Sequence, residues 1–160
     1  MKSDLGQYVI KGKMLEAEVE DTILEIFYNM PFGVLKEEHV KGCSGKIWRP
    51  DFVILTKPFN KIIAILECKG IGKPKSWQYH AQMCSAYVEL NDLRLNPEIS
   101  SAKYYLIVNR PPERGDQTVS KIDYRKMFGC INVKVYYRTD LEEEDWKSFL
   151  EEFFEIRDKY

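Results

Sequence analysis

The sequence predicts an α/β domain with a mixed central sheet flanked by helices, and three observations support that prediction. Apolar residues recur at helical spacing in three long segments, at 12–30, 76–90 and about 140–159. Short runs rich in Val, Ile, Leu and Phe lie between those segments, at 49–56, 61–69, 103–108 and 131–137. Such an alternation over 160 residues is typical of a single layered domain.

The first helix is expected over 12–30 and ends at Pro31 and Gly33, which do not continue a helix. An apolar stripe at helical spacing marks its buried side and consists of Leu15, Val19, Ile23, Ile26, Phe27 and Met30. A short strand is expected near 33–40, followed by a glycine- and serine-containing turn at 42–45.

The second half of the chain contains two more long helices. Ser76 is expected to cap the helix 76–90, whose buried side consists of Tyr79, Met83, Ala86, Tyr87 and Leu90. A loop at 110–115 follows the strand 103–108, and a short helix is expected over 119–127. The closing helix, capped by Asp140, is expected to turn inward the side chains of Trp146, Phe149, Leu150, Phe153 and Phe154.

Three charged residues, Asp51, Glu67 and Lys69, occupy strand positions at which apolar side chains are expected. A charged side chain is costly to bury unless it is paired or binds a metal. These two strands are therefore where the sequence points to function.

The turn residues 57–60 join the two strands into a hairpin. If the hairpin is centred on Phe59, Asp51 lies directly opposite Glu67. The β-carbons of such a pair are about 5 Å apart, so two carboxylates there repel each other. A divalent cation between them turns that repulsion into ligation, and Mg²⁺ favours carboxylate oxygens.

Strand alternation places Lys69 on the same face as Glu67 and Cys68 on the opposite face. A register shifted by one residue would separate Asp51 from Glu67. The alternative for the three charges is an ordinary buried ion pair of Lys69 with one acid, which leaves the other carboxylate unpaired.

The net charge of −1 does not indicate a nucleic-acid partner, but the distribution of charge does. Residues 41–75 contain eight basic side chains against Asp51 and Glu67, whereas the last twenty residues are mainly acidic. A positive zone around a carboxylate site suits a polyanionic substrate, with solvated surface lysine as the alternative.

The four cysteines are widely separated and form no CxxC pair, so reduced thiols are expected instead of a disulfide framework or structural zinc. The longest apolar run, 62–66, is too short to cross a bilayer, and the N-terminus lacks the apolar core of a signal peptide. We therefore expect no membrane partner and an intracellular location, in the cytoplasm or at the nucleoid. The protein could equally be encoded by a phage or a mobile element.

Pro50-Asp51, followed by Glu67-Cys68-Lys69 at the end of the next strand, resembles the signature of the PD-(D/E)XK nuclease superfamily. That superfamily includes restriction endonucleases, Holliday-junction resolvases, transposon end-cleaving subunits and some homing endonucleases. The resemblance covers roughly residues 12–110 and implies a restriction-endonuclease-like αβββαβ core.

The resemblance also implies a role for each residue of the motif. Asp51 and Glu67 would bind Mg²⁺, for which Mn²⁺ would substitute, and the backbone carbonyl of Cys68 would complete the metal shell. Lys69 would orient or activate the attacking water. A divalent cation lowers the pKa of its water and stabilises charge on the phosphate, and a fixed lysine positions the nucleophile.

Members of the superfamily often add a metal-facing glutamate from the first helix. Glu16, at the border of the apolar stripe, matches that position best and Glu20 is the competitor, with a solvated helix carboxylate as the alternative for both. Many members also place a glutamine of the second helix beside the lysine. Gln78 and Gln82 lie one turn apart and are both candidates, with surface glutamine as the alternative.

Basic residues near the predicted site are candidates for contacts to DNA phosphates, namely Lys46, Arg49, Lys73, Lys75, Arg110 and Arg114. His80 is expected at the surface or at DNA, because two carboxylates and a lysine need no histidine as a base.

The leading hypothesis is a Mg²⁺-dependent DNA endonuclease of the restriction, resolvase, homing or transposition type. A homodimer is expected, because one domain offers one site and a duplex has two strands. A non-catalytic DNA-binding or assembly subunit with a nuclease fold is the alternative, and an RNA-processing enzyme is a third class.

Overall fold

A computed structural model describes residues 4–72, 76–112, 122–139 and 143–160, without the side chains of 4–12 and of Ser76. The elements are α1 (Asp4–Ile26), β1 (Phe32–Lys36), β2 (Val40–Lys41), β3 (Ile47–Trp48), β4 (Phe52–Thr56), β5 (Lys61–Lys69), α2 (Ser76–Arg94), β6 (Lys103–Val108), α3 (Tyr124–Gly129), β7 (Val133–Tyr137) and α4 (Glu143–Lys159). Among the described residues, no helix is both long and apolar enough to span a bilayer.

Five strands form one mixed sheet in the order β1-β4-β5-β6-β7, and β2 pairs with β3 in a separate small hairpin. The pairs β1–β4 and β4–β5 are antiparallel, whereas β5–β6 and β6–β7 are parallel. The α2 helix connects β5 to β6, as parallel neighbours require a crossover. The expected α/β architecture with a mixed central sheet is therefore confirmed.

Helices cover both faces of the sheet, because β4, β5 and β6 carry apolar side chains on both sides. The helices α2 and α3 pack on one face, and α1 and α4 pack on the other. The predicted stripes of α1, α2 and α4 lie in these two cores, with two exceptions. Met30 and Phe154 are 39% and 40% exposed, because Met30 lies beyond the end of α1 and Phe154 on the outer side of α4.

The α1 helix begins at Asp4 rather than Gly12, and it ends at Ile26 rather than Met30. Its end has a local cause, because Asn29 adopts a left-handed φ of 55° that a helix does not accommodate. The α2 helix is longer than expected and reaches Arg94, since the buried Leu93 continues its apolar stripe.

The single strand expected over 33–40 is divided in two. Glu37 has a left-handed φ of 49°, which ends β1, and Val40 pairs instead with Trp48 in the small hairpin. Likewise, residues 49–51 of the expected strand 49–56 precede β4 and do not belong to it.

Boundaries in the last third also differ from the predictions. The α3 helix begins at Tyr124, with the Asp123 carboxylate accepting from the Lys126 N–H as its N-cap; residues 119–121 of the prediction lie outside the described residues. The β7 strand begins at Val133, after Asn132 with a φ of 56°. Asp140, the predicted cap of the last helix, also lies outside the described residues.

The hairpin of β4 and β5 has the predicted register at the end that matters for the site. Phe52 pairs with Leu66 and Ile54 with Ala64, so the next position along places Asp51 opposite Glu67. Nearer the turn, an irregularity after Ile54 shifts the pairing by one residue. This bulge was not predicted, and it is what brings Asp51 opposite Glu67, because the pairing nearest the turn would otherwise place Asp51 opposite Leu66.

The small hairpin of β2 and β3 is fastened to α2 by one carboxylate. Asp92 Oδ1 accepts the Ser44 N–H at 2.8 Å, and Asp92 Oδ2 accepts the Ser44 hydroxyl and the Trp48 indole N–H, each at 2.7 Å. Only Arg49 and Pro50 separate Trp48 from Asp51. The anchoring by Asp92 therefore fixes the segment that leads into the predicted site.

Candidate active site

Asp51 and Glu67 meet where β4 begins and β5 ends. The ladder stops at Phe52, and two bonds between side chain and backbone continue the pairing in its place. The Asp51 N–H donates to Glu67 Oε2 at 3.3 Å, and the Cys68 N–H donates to Asp51 Oδ2 at 2.7 Å. These bonds hold the two carboxylates next to each other, as the predicted register requires.

Lys69 joins the two acids on the same face of the sheet. Its Nζ lies 3.1 Å from Glu67 Oε1, and its side chain is 21% exposed. Cys68 belongs to the core under α1, so its thiol points away from the site as strand alternation predicts. Burial, and then the charge of Asp51, hold the pKa of that thiol well above its usual value.

Glu67 is the only polar or charged residue in the described part of the chain that is buried, with 6% of its surface exposed. An ionised carboxylate in such a place needs compensation. Its partners are the Lys69 ammonium and the backbone N–H of Asp51. A second carboxylate, Asp51, lies beside it, so the local environment is short of positive charge.

The electrostatics of the pair reflect that shortage. Burial, followed by repulsion from Glu67, raises the pKa of Asp51 to about 8. Burial also raises the pKa of Glu67 to about 7, although Lys69 opposes that rise. The pKa of Lys69 is raised by the neighbouring carboxylates despite its burial. A cation placed between Asp51 and Glu67 would stabilise the ionised form of both acids.

Glu16 and Glu20 of α1 have different surroundings. Glu20 Oε2 binds the Lys36 Nζ at 2.7 Å, which directs this side chain to β1. Glu16 is half-buried, and its charge adds to burial and to Glu67 in raising the pKa of Asp51. Of the two glutamates, Glu16 is therefore the one whose charge acts on the site.

An α2 residue that the sequence analysis did not select also acts on the site. Gln82 is exposed and Gln78 is half-buried. Glu89 is also half-buried, and its charge acts on Lys69 and Asp51. A sequence signal for it exists, because Glu89 lies three residues after Ala86 and four before Leu93, on the apolar stripe of α2.

The basic residues predicted to contact DNA differ in availability. Lys46 and Arg49 are exposed; the Lys46 Nζ lies 4.0 Å from the centre of the Trp48 ring, and Arg49 is 3.5 Å from Glu37. Arg110 is half-buried and donates to the Gly72 carbonyl at 2.6 Å. Lys73, Lys75 and Arg114 lie outside the described residues.

His80 is half-buried and takes part in contacts within the chain. Its Nδ1 is 2.9 Å from the Tyr124 hydroxyl, and its Nε2 is 3.3 Å from Cys84 Sγ. These neighbours belong to α2 and α3 and not to the carboxylate pair.

The donor chemistry of the pair fits a hard divalent cation, since both ligands are carboxylates and each is disfavoured in its ionised form. Within the described ranges, no group of three or more His, Cys, Asp or Glu side chains is arranged to hold a metal ion. The side chains that suit a divalent cation are therefore the two carboxylates of Asp51 and Glu67.

Comparisons with known proteins do not identify a family for this chain. No protein-family model matches the chain, and no curated protein matches it significantly.

Proposed function

We propose that this protein is a metal-dependent nuclease that hydrolyses phosphodiester bonds in DNA, with Asp51, Glu67 and Lys69 as its catalytic centre. One observation carries the proposal, the buried Glu67 next to Asp51 with Lys69 on the same face. A chain that needed only stability would not place a second carboxylate beside a buried one.

The order of elements supports a restriction-endonuclease-like arrangement. The segments α1, β1, β4, β5, α2 and β6 follow one another as helix, three strands, helix and strand, with the small hairpin of β2 and β3 inserted before β4. In that arrangement the carboxylates and the lysine belong to the second and third strands of the core. Here Asp51 directly precedes β4, and Glu67 and Lys69 lie in β5.

The residues that would hold Mg²⁺ or Mn²⁺ are Asp51, Glu67 and the backbone carbonyl of Cys68, with Glu16 as the further carboxylate from α1. When bound, the ion supplies an activated water and stabilises negative charge on the phosphate. Lys69 contributes a second positive charge of the protein itself, held in place by Glu67. A fixed ammonium costs little reorganisation when charge develops on the phosphate oxygens.

DNA as the substrate is supported by the distribution of charge. Lys46 and Arg49 are exposed in the segment that leads directly to Asp51, where the phosphate backbone would approach. A homodimer follows from the same proposal, because a single site cuts one strand at a time. Light scattering coupled to size exclusion tests the dimer independently of cleavage.

The test is nicking of supercoiled plasmid with Mg²⁺, Mn²⁺ or EDTA. We expect cleavage by the wild type that requires the metal, and a loss of about 100- to 1000-fold in D51N and in K69M. The control is K61A, which removes an exposed lysine at the other end of β5 and should cut normally. Equal cleavage by D51N, K69M and the wild type would remove the proposed centre.

A non-catalytic DNA-binding subunit is the second candidate, and one observation favours it. The Lys69 ammonium already pairs with Glu67, and among the described residues no third His, Cys, Asp or Glu side chain completes a metal-binding group with the two acids. This candidate predicts DNA binding without cleavage of duplex, single-stranded or four-way-junction DNA. Including RNA in the same panel separates the RNA-processing class.

A further inference from the structure

Glu89 lies on the face of α2 that packs against the sheet. Its neighbours on the stripe, Ala86, Leu90 and Leu93, are completely buried. Glu67 and Lys69 alternate with the apolar side chains that face the other helix pair, so they lie on the sheet face that α2 covers. Glu89 is thus an ionisable group brought to the carboxylate pair from a different element.

One carboxylate oxygen of Glu89 has no hydrogen-bond partner. Glu89 Oε1 is buried without a hydrogen bond, and among the described residues only Arg94 Nε shares that property. An unpaired buried acceptor is destabilising, and an ionised one more so. A stable fold does not require such an atom at position 89, so its presence needs a reason.

The charges around Glu89 indicate which group its unpaired oxygen could bind. Burial raises the pKa of Glu89, Lys69 opposes that rise, and Asp51 adds to it. Lys69 is therefore the cation whose charge most favours the ionised form of Glu89, ahead of Lys46, although Lys69 itself pairs with Glu67 in this structure.

Lys69 and the proposed metal ion both depend on the Glu67 carboxylate. Its Nζ lies 3.1 Å from Glu67 Oε1, and Glu67 is also a proposed metal ligand. A carboxylate oxygen engaged by a divalent cation is a poorer acceptor for an ammonium. Lys69 then needs a second acceptor nearby to remain in the site.

We propose that Glu89 is a positioning residue that serves as this second acceptor for the Lys69 ammonium, a catalytic role that rests on the proposed nuclease function. Glu89 acts through Lys69 and not as a metal ligand. It keeps the ammonium at the carboxylate pair when Glu67 is engaged.

A double-mutant cycle on metal-free protein tests the pairing directly. The midpoints of thermal unfolding, Tm, are measured in EDTA at pH 8 for the wild type, E89Q, K69M and E89Q/K69M. Because Lys69 compensates Glu89, we expect E89Q to change Tm by less than about 1 °C in the wild type. In K69M the positive charge that compensates the Glu89 carboxylate is gone, so E89Q should raise Tm by about 3 °C or more.

Equal Tm shifts in the two backgrounds would overturn the proposal. The matched control is E98Q, which neutralises an exposed glutamate just after α2 and should shift Tm equally in both. Repeating the cycle with K69Q guards against poor folding of K69M.

Kinetics separate this role from the proposed function. In a wild type that cuts DNA, E89Q should lower kcat about tenfold and leave KM unchanged, while E98Q changes neither. Coupling in EDTA without cleavage by any form of the protein would refute the nuclease and keep the Glu89–Lys69 pairing. Cleavage with additive Tm shifts would refute the role of Glu89 alone.

Discussion

Glu67 and Glu152 are two carboxylates with nearly equal exposure and opposite electrostatics. Their side chains are 8% and 11% exposed, respectively. Burial, only partly offset by Lys69, raises the pKa of Glu67 to about 7. Burial acts to raise the pKa of Glu152 as well, but hydrogen bonds from Lys134, Lys103 and Tyr105 outweigh burial and lower that pKa to about 2.

The difference lies in the number of donors. Glu152 Oε1 accepts from Lys103 Nζ at 2.9 Å and from the Tyr105 hydroxyl at 2.7 Å, and its Oε2 accepts from Lys134 Nζ at 2.7 Å. Glu67 has one ammonium and a long backbone bond, and a second acid beside it. A carboxylate with three donors stabilises the fold, whereas one with too few indicates a place for a ligand.

The same substitution at the two positions should have the largest and clearest effect. We expect E67Q to lower cleavage about 1000-fold, because it removes a proposed metal ligand. E152Q makes the same chemical change at the other carboxylate and should keep activity within about threefold. Plasmid nicking with Mg²⁺ measures both activities. A loss of equal size in the two variants would show that Glu67 has no catalytic role that Glu152 lacks.

The raised pKa values of Asp51 and Glu67 predict how stability depends on pH. Their ordinary values in an unfolded chain are about 4, so the folded protein binds more protons than the unfolded chain between about pH 4 and pH 8. The free energy of unfolding should therefore fall as pH rises through this window. We therefore expect Tm in EDTA to be lower at pH 8 than at pH 5 by several degrees.

D51N removes one of the two acids and should flatten that dependence. Its Tm should exceed that of the wild type by several degrees at pH 8, and the difference should vanish near pH 4. The control is E38Q, which removes an exposed carboxylate and should follow the wild type throughout. A D51N profile parallel to that of the wild type would contradict the raised pKa assigned to Asp51.

Glu152 should show the smaller effect, of opposite sign. Its pKa is lowered in the folded state, so its contribution to stability is present above about pH 4 and is lost as pH falls towards about 2. We expect E152Q to lower Tm at pH 7 by about 3 °C, which corresponds to about 1 kcal/mol, and to have little effect near pH 2. Thermal unfolding monitored by circular dichroism measures it, and an unchanged Tm at pH 7 would show that the three donors do not stabilise the fold.

The residues that the sequence predicted best are those fixed by local patterns. The alternation of β5 placed Glu67 and Lys69 on one face with Cys68 on the other. That pattern extends over adjacent residues, so it can be read without knowledge of the tertiary structure. The predicted pairing of Asp51 with Glu67 is also correct, but the turn alone does not set it, because the bulge after Ile54 shifts the register by one residue.

Features that depend on distant contacts could not be predicted in this way. The choice between Glu16 and Glu20 depends on Lys36, which belongs to another element. The small hairpin has strands of two residues each and is held by Asp92, more than forty positions away. Glu89 was visible as an acid on an apolar stripe, but the resemblance directed attention to glutamines nearer the start of α2.

The most direct test of the central claim is to locate a cation at the carboxylate pair. Crystals grown at pH 8 with Mn²⁺ should show an anomalous peak in contact with Asp51 and Glu67, with Lys69 turned towards Glu89. The same crystals of D51N should lack the peak. A wild-type map without manganese at this place, and with Lys69 still bound to Glu67, would contradict the account.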